Sequence, residues 1–228
     1  MSDIVSYEFS NGVSAITMND CKVNCLSPRM LSDLNSAFDK AESDKGVVLF
    51  TGREGKFSAG FDLTVFERGG DDLRGMLKAG AQLAFRMLSF PTPVIIACNG
   101  HALAMGAFTL LSADLRIGAD GPFKIGLNEV AIGMTVPYFG IEIARQRLAP
   151  AHFNRALLTA EIYSPGDAVA AGFLDRVVPV ADLAAASRET AAAFTRLDMS
   201  AHGGTKRRAR EQALSALRAA MVADFGEA

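Results

Sequence analysis

Hydrophobic and polar residues alternate in two stretches near the start of the chain, residues 4–9 and 13–18, on either side of Asn11-Gly12. Alternation with a period of two is typical of a β-strand with one buried face. Asn-Gly favours the positive φ angles of a tight hairpin turn. The pattern therefore predicts a β-hairpin at the start of the chain.

From Ser27-Pro28 onward, apolar residues recur at intervals of three and four, which is typical of a helix with one buried face. Ser27 is a suitable N-cap, Pro28 fits the first helical position, and Lys45-Gly46 predicts the end of the helix. The residues expected to face the core are Met30, Leu31, Leu34, Ala37, Phe38 and Ala41.

The rest of the chain alternates short apolar runs with stretches of helical spacing. Further strands are predicted at 47–51, 94–98, 114–119, 123–125 and 173–179. Further helices are predicted at 73–88, 104–113, 141–148, 151–160 and from 181 onward. This order predicts an α/β fold with parallel βαβ units, and the chain lacks the glycine fingerprint of dinucleotide-binding folds.

Composition narrows the class of protein. Half of the 228 residues are hydrophobic, which is enough for one sizeable core, so we expect one domain with a helical tail. The 23 Lys and Arg against 25 Asp and Glu give a formal charge of -2, which argues against a general nucleic-acid surface. The three cysteines lack a paired spacing, and no segment approaches the roughly 20 apolar residues of a membrane span. With no secretion signal at the N-terminus, these features predict a soluble, cytoplasmic protein.

Two glycine-containing turns, residues 57–63 and 100–106, each follow a predicted buried strand and precede a helical stretch. Backbone N–H groups at such a helix start lack intrahelical partners and can bind developing negative charge. A simpler alternative for the first turn is that Asp62 only caps a helix and Gly60 only permits the bend. We interpret the two turns as the halves of an oxyanion hole.

The same turns resemble the signatures of the crotonases, the enoyl-CoA hydratase/isomerase superfamily. Residues 58–63 are similar to the family's Ser/Ala-Ala-Gly-x-Asp-Leu turn, and residues 99–106 to its Asn-Gly-x-Ala-x-x-Gly-Gly turn. The resemblance continues at 113–117, 125–130 and 171–179, so it covers about residues 3–222.

This resemblance implies a ββα spiral, the ClpP/crotonase fold, in residues 1–180. It also implies a C-terminal α-helical region in residues 181–228 that supports homotrimers, often paired into hexamers. Family members commonly carry one more helix over the active site, so we expect this region to be shortened here. The implied substrate is an acyl-CoA thioester, with no separate cofactor.

The resemblance also implies the residues of the site. The backbone N–H groups of Phe61 and Met105 would form the oxyanion hole. Ala104 and Met105 stand where glycines are common, which is tolerable for a backbone donor if the side chains point away. The implied substrate contacts are Lys22, Val23, Ser58, Ala59, Gly60, Asp62, Leu63, Gly106 and Phe108.

Glu129 is the candidate acid/base. Its sequence neighbours include Ile125, Leu127, Val130, Ile132 and Met134, among which a lone carboxylate is costly unless it is paired or its pKa is raised. A raised pKa suits proton transfer. Without the resemblance, an exposed glutamate at a helix start would be the preferred interpretation. The string at 125–129, Ile-Gly-Leu-Asn-Glu, is typical of the catalytic segment in Δ3,Δ2-enoyl-CoA isomerases and favours the catalytic role.

Phe108 bears on which reaction is catalysed. Family hydratases hold one water between two glutamates, and Phe108 replaces the first of them. Phenylalanine can neither hold nor activate water, so we expect little hydration, whereas core packing is the simpler role for this side chain. The favoured function is therefore isomerisation of a 3-enoyl-CoA to a 2-enoyl-CoA by Glu129. The alternatives are a hydratase or another thioester-enolate reaction, and a CoA-ester binding protein without turnover.

Three further patterns carry weaker signals. Residues 51–56 lack the spacing of a phosphate-binding P-loop and are interpreted as a surface turn. The three histidines have no spacing suited to a metal, so we expect none. The run Lys206-Arg207-Arg208 with Arg210 is interpreted as a solvated helix face, with contact to CoA phosphates as the alternative.

Overall fold

The computed structural model describes residues 3–226. Its strands are β1 (Val5–Ser10), β2 (Val13–Met18), β3 (Cys25–Leu26), β4 (Val47–Thr51), β5 (Gly55–Ser58), β6 (Gly60–Phe61), β7 (Val94–Cys98), β8 (Gly100–Leu103), β9 (Leu115–Ala119), β10 (Ile125–Gly126), β11 (Ile162–Tyr163) and β12 (Arg176–Val178). Its α-helices are α1 (Pro28–Asp44), α2 (Leu63–Arg68), α3 (Gly70–Ser89), α4 (Met105–Leu111), α5 (Tyr138–Arg145), α6 (Pro150–Leu158), α7 (Pro165–Ala171), α8 (Val180–Phe194), α9 (Met199–Ala209) and α10 (Glu211–Phe225). A short 3-10 helix lies at Val130–Ile132.

The first elements follow the sequence pattern closely. Strands β1 and β2 form the predicted antiparallel hairpin, in which Asn11 and Gly12 take φ angles of 50° and 77°. Helix α1 begins as predicted, because the Ser27 side chain accepts a hydrogen bond from the Met30 backbone N–H. The six apolar residues predicted for its inner face are all buried.

Most strands after α1 belong to two sheets, and β6 pairs with β3 in a separate two-stranded sheet. The larger sheet has the order β1-β2-β4-β7-β9-β12 and is parallel apart from the opening hairpin. The second sheet has the order β11-β10-β8-β5. The pairs β4 and β5, β7 and β8, and β9 and β10 each place one strand in each sheet before the chain returns through helix. This repeat is the predicted ββα spiral, whereas the expectation of simple βαβ units missed β5 and β8, which lie in segments interpreted as turns.

The central strands of the larger sheet, β4, β7 and β9, are buried on both faces, which explains the continuous apolar runs of β4 and β7. Along β4, Val48 and Phe50 join the main core, where the rings of Phe50 and Phe38 on α1 lie 6.2 Å apart. The alternate residues Val47 and Leu49 join a second apolar cluster with α8 on the opposite face.

Several predicted boundaries were wrong for local reasons. The strand expected at 173–179 is only Arg176–Val178. The backbone N–H groups of Phe173 and Leu174 instead donate to Ala168 O and complete the end of α7, a helix that the sequence pattern did not predict. The helix expected at 141–148 begins earlier, at Tyr138, because Asp224 on α10 accepts hydrogen bonds from the backbone N–H groups of Tyr138 and Phe139 at its start.

The C-terminal helices pack on different parts of the core. Helix α8 covers the outer face of the larger sheet, and α10 packs against α5 and α3. Helix α8 begins at Val180, close to the predicted division at residue 181, although that division into two regions stays a prediction.

Candidate active site

The two predicted turns lie against each other, backbone to backbone. Gly60 has a φ of 95°, and a Cβ atom there would lie 2.8 Å from Ala104 Cβ and 3.2 Å from Met105 N. A Cβ atom on Gly106 would lie 2.5 Å from Ser58 O. Side chains at these two glycines would therefore separate the turns, because contacts this short force a neighbour to move.

The first turn is held by its own side chains. Asp62 accepts a hydrogen bond from Thr64 N at 3.0 Å and so caps α2, as predicted. The positive φ angle of Gly60 likewise confirms the predicted bend. Ser58 is buried, and its hydroxyl donates to Asn24 O at 2.7 Å and accepts from Gly60 N at 3.2 Å. Ser58 therefore stabilises the turn, and its direct contact with a substrate stays a prediction.

The second turn carries backbone strain. Ala104 takes a φ of 49°, in a region that favours glycine, which is the residue that the resemblance leads one to expect there. Helix α4 begins at Met105, so the N–H of this residue has no acceptor within the helix. The Met105 side chain is 1% exposed and its methyl group lies toward Gly80 on α3. The side chain thus points into the core, as a backbone donor at this position requires.

A cavity of about 140 Å³ joins both turns to the predicted acid/base. A third segment, residues 128–134, supplies the rest of its wall. The residues that line it are Ala59, Phe61, Leu63, Phe66, Ala104, Asn128, Glu129, Ile132 and Met134.

Glu129 is 8% exposed, and its Oε2 atom has no hydrogen-bond partner within residues 3–226. Burial raises the pKa of Glu129 to about 7, against a smaller opposing effect of a backbone hydrogen bond. The predicted neighbours Val130 and Ile132 are 45% and 48% exposed, so they do not account for this burial by themselves. Phe61 and Phe66, which precede Glu129 by more than sixty positions, complete its apolar surroundings.

Sequence reasoning did not single out Asn128 or Phe66 as parts of the site. Asn128 lines the cavity, and its Oδ1 atom is buried with no hydrogen-bond partner in the described part of the chain. The only signal for Asn128 was its position next to Glu129, and Phe66 looked like an ordinary helical residue. Two unsatisfied acceptors in one cavity are unusual, since buried polar atoms are normally paired.

Some predicted contacts lie outside the cavity lining. Lys22 and Val23 are exposed in a loop beside the first turn, where Val23 O accepts a hydrogen bond from Ala59 N at 3.0 Å. Phe108 is 2% exposed and packs against Phe139, with ring centroids 6.4 Å apart. The structure thus gives Phe108 the core-packing role, and direct substrate contact by these three residues stays a prediction.

The prediction of a solvated basic helix face was wrong for Lys206 and Arg210. The Lys206 side chain is 4% exposed, and its Nζ lies 2.7 Å from Asp114 Oδ2, while Arg210 Nη2 lies 3.0 Å from Asp114 Oδ1. Burial lowers the pKa of Lys206 to about 8, although the Asp114 charge opposes this shift. Arg207 and Arg208 are exposed as predicted. The pattern failed because Lys206, on α9, and Arg210, directly after the end of α9, both point toward Asp114.

The remaining expectations concern turns, metals and membranes. Arg53 and Lys56 form an isolated antiparallel bridge, so residues 51–56 make a tight turn, as predicted. Over residues 3–226, no group of three or more His, Cys, Asp or Glu side chains could hold a metal ion. Within the same range, each helix is too short or too polar to cross a membrane.

Comparison with known proteins places these features in a family. The description of the matching family is enoyl-CoA hydratase/isomerase, and the match spans residues 8–225. A crystal structure of an enoyl-CoA hydratase/isomerase family protein from Pseudomonas syringae is 47% identical, with a TM-score of 0.96 over 97% of this chain and 96% of that one.

Two curated relatives carry different activities in their names. The human mitochondrial enoyl-CoA delta isomerase 1 is 33% identical over 181 residues, which are 77% of this chain and 60% of that protein. A probable enoyl-CoA hydratase from Bacillus subtilis is 33% identical over 142 residues, or 60% of this chain and 55% of that protein. The chain thus spans less than two thirds of either relative's length. The fold, the site and the family match together show that this chain belongs to the enoyl-CoA hydratase/isomerase family and has the crotonase fold.

Proposed function

We propose that this protein is an enoyl-CoA isomerase that moves a double bond of an acyl-CoA thioester from C3 to C2. The observation that carries the proposal is the single carboxylate in the cavity. Glu129 is the one acidic side chain among the residues that line it, and its pKa lies near neutrality. A group with such a pKa can both accept and return a proton at neutral pH.

The reaction needs one base and a stabilised oxyanion. The ionised Glu129 carboxylate takes a proton from C2 of the 3-enoyl thioester, and the electron pair moves onto the thioester oxygen. The N–H groups of Phe61 and Met105 stabilise this enolate oxygen. When the enolate collapses, C4 takes the proton from the Glu129 carboxyl group and the double bond lies between C2 and C3. No metal or redox cofactor enters this scheme, and coenzyme A is part of the substrate.

Hydration is the second candidate, because relatives such as the Bacillus subtilis protein are named as probable hydratases. Adding water requires that a water be both held and activated, typically by a pair of acid/base groups. The position that the resemblance implies for the first of these glutamates is Phe108, which is buried against Phe139. The side chains that line the cavity therefore favour isomerisation.

The wider setting belongs to the same proposal. We place the reaction in fatty-acid breakdown in the cytoplasm, in a homotrimer or a hexamer of two trimers. Lys22, Val23 and the exposed Arg207 and Arg208 are the residues proposed for contact with the CoA part of the substrate, since their exposed side chains can reach an anionic ligand.

Parallel assays of 3-hexenoyl-CoA and 2-hexenoyl-CoA, with products separated by chromatography, test the proposal. We expect 2-hexenoyl-CoA from the first substrate and little or no 3-hydroxyhexanoyl-CoA from the second. Efficient hydration of 2-hexenoyl-CoA would instead establish a hydratase. Binding of both thioesters without turnover would establish a CoA-ester binding protein.

A further inference from the structure

Helix α3 contains two interior glycines, Gly75 and Gly80, that differ in their surroundings. Glycine inside a helix is less stable than alanine, so a close packing contact is one reason to find it there. Apart from the neighbouring residues and backbone of its own helix, no atom of residues 3–226 lies within 4 Å of the place where a Cβ atom of Gly75 would be. A Cβ atom on Gly80 would lie 2.5 Å from Cζ and 2.6 Å from Cε1 of Phe61.

The same glycine also faces the second turn. A Cβ atom on Gly80 would lie 3.5 Å from the Met105 methyl carbon, which is ordinary van der Waals contact. Gly80 is therefore the place on α3 where the side chains of Phe61 and Met105 meet. These are the two residues whose backbone N–H groups would form the oxyanion hole.

The Phe61 ring has little freedom to move away from α3. The ring of Phe66 lies on one side, with centroids 6.4 Å apart, and Phe61 itself forms part of the cavity wall beside Glu129. A ring displaced from Gly80 must enter that cavity or shift the backbone of residue 61. The first movement would fill part of the cavity. The second would displace an oxyanion donor, whose position must be held to within a fraction of an ångström.

We propose that Gly80 is a positioning residue for the oxyanion hole. By carrying no side chain, it lets the Phe61 ring lie against α3, which keeps the cavity open and the peptide N–H of Phe61 in place. This inference rests on the isomerase function proposed above.

The first test compares Gly80→Ala with the matched variant Gly75→Ala on the same helix. Gly80→Ala should lower kcat/KM for 3-hexenoyl-CoA at least tenfold, with a lower kcat and an unchanged far-ultraviolet circular dichroism spectrum. Gly75→Ala should retain the kinetics of the unchanged protein and an equal or higher Tm, since its new methyl group meets open space. Unaltered kinetics in Gly80→Ala would overturn the proposal.

A double-mutant cycle with Phe61→Ala separates positioning from general damage to the fold. Removing the ring leaves the N–H of residue 61 in place but removes the group with which the new methyl collides. Gly80→Ala should therefore change kcat/KM less than twofold in the Phe61→Ala background. An equal loss in both backgrounds would show that Gly80 does not act through the ring. If Gly80→Ala alone folds poorly, the same cycle measured as Tm should show recovery in the double variant, and a lack of recovery would also count against the proposal.

The outcomes for the two proposals can be told apart. If the unchanged protein fails to isomerise 3-hexenoyl-CoA, the proposed function fails whatever the variants do. If it isomerises that substrate and Gly80→Ala does so equally well, only the role of Gly80 fails. Titration calorimetry with hexanoyl-CoA, which has no double bond to move, provides a readout independent of turnover. In that titration Gly80→Ala should bind at least threefold more weakly than Gly75→Ala.

Discussion

Asp114 and Glu129 are both largely buried carboxylates, and their surroundings are opposite. Asp114 accepts hydrogen bonds from Lys206 Nζ and Val94 N, each at 2.7 Å, and its other oxygen lies 3.0 Å from Arg210 Nη2. Glu129 faces an apolar cavity with its Oε2 atom unpaired by the described residues. The Asp114 contacts connect Lys206 on α9 to the starts of strands β7 and β9 in the larger sheet. The Glu129 surroundings leave its carboxylate free to exchange a proton. Pairing thus separates a structural carboxylate from a chemical one.

A carboxylate introduced into the core, with neither a hydrogen-bond partner nor a cavity beside it, should cause the largest loss in the free energy of unfolding. Phe108→Glu puts a charge into the core beside Phe139 and removes a packed ring, so we expect a loss of about 5 kcal/mol in the free energy of unfolding. Denaturant unfolding, with Phe108→Leu as the control for lost packing alone, measures it. A stable Phe108→Glu protein with a raised ratio of hydration to isomerisation would show that position 108 reaches the cavity after all.

Removing the paired carboxylate of Asp114 should cause the next largest loss of stability. Asp114→Ala leaves Lys206 and Arg210 without their carboxylate, so we expect a loss of about 4 kcal/mol in the free energy of unfolding. Lys206→Met should cost less, because it removes one buried charge and leaves Asp114 paired with Arg210. Equal stability of Asp114→Ala and the unchanged protein would mean that the pairing contributes nothing.

Changing the unpaired site should affect catalysis and not stability. Glu129→Gln keeps the shape of the side chain but cannot take a proton, so isomerase turnover should fall at least 10²-fold, or about 2.7 kcal/mol. The free energy of unfolding should stay the same or rise, since a costly buried carboxylate has gone. Glu189→Gln, at an exposed position of α8, is the control and should change neither quantity. Near-normal turnover in Glu129→Gln would move the chemistry to another group.

The pH dependence should show the smallest effect, of about tenfold. Because the base must be ionised and its pKa is about 7, kcat/KM should rise roughly tenfold between pH 6 and pH 8 and then level off. Stability should change in the opposite direction. The folded state holds the Glu129 proton up to about pH 7, and the unfolded chain releases it near the ordinary glutamate pKa of 4.5, so this group lowers stability as pH rises through that window. Identical stability curves for Glu129→Gln and the unchanged protein would contradict the raised pKa.

Local patterns predicted the elements that depend on neighbouring residues. Asn11-Gly12, the Ser27 cap and the inner face of α1 were all correct, because turn geometry and helical period are properties of short segments. The strands β6 and β10 have two residues each, which is too short for a period to be visible. Strand β6 was not predicted, and the strand predicted at 123–125 overlaps β10 only at Ile125. Their existence depends on pairing with β3 and with β8 and β11.

The residues of the candidate site also fall into those that the sequence identified and those that only the structure revealed. The motif resemblance identified Glu129 and both turns, and the structure places all three segments around one cavity. It did not identify Phe66, whose contribution depends on how α2 folds over the site. For Lys206 the charge pattern was misleading, because a run of basic residues does not reveal which of them faces the core.

The sequence by itself determined the opening hairpin, helix α1, the family resemblance and the identity of the candidate acid/base, because each of these depends on residue types at short, regular spacings. Only the tertiary structure decided that Glu129 is buried in a cavity lined also by Phe61 and Phe66, that Asp114 is paired with Lys206 and Arg210, and that the Phe61 ring packs against Gly80. These contacts join residues between 19 and 96 positions apart, as the numbering of Gly80 with Phe61 and of Arg210 with Asp114 shows. No period along the chain encodes such contacts, since they arise from the way the spiral brings distant segments together.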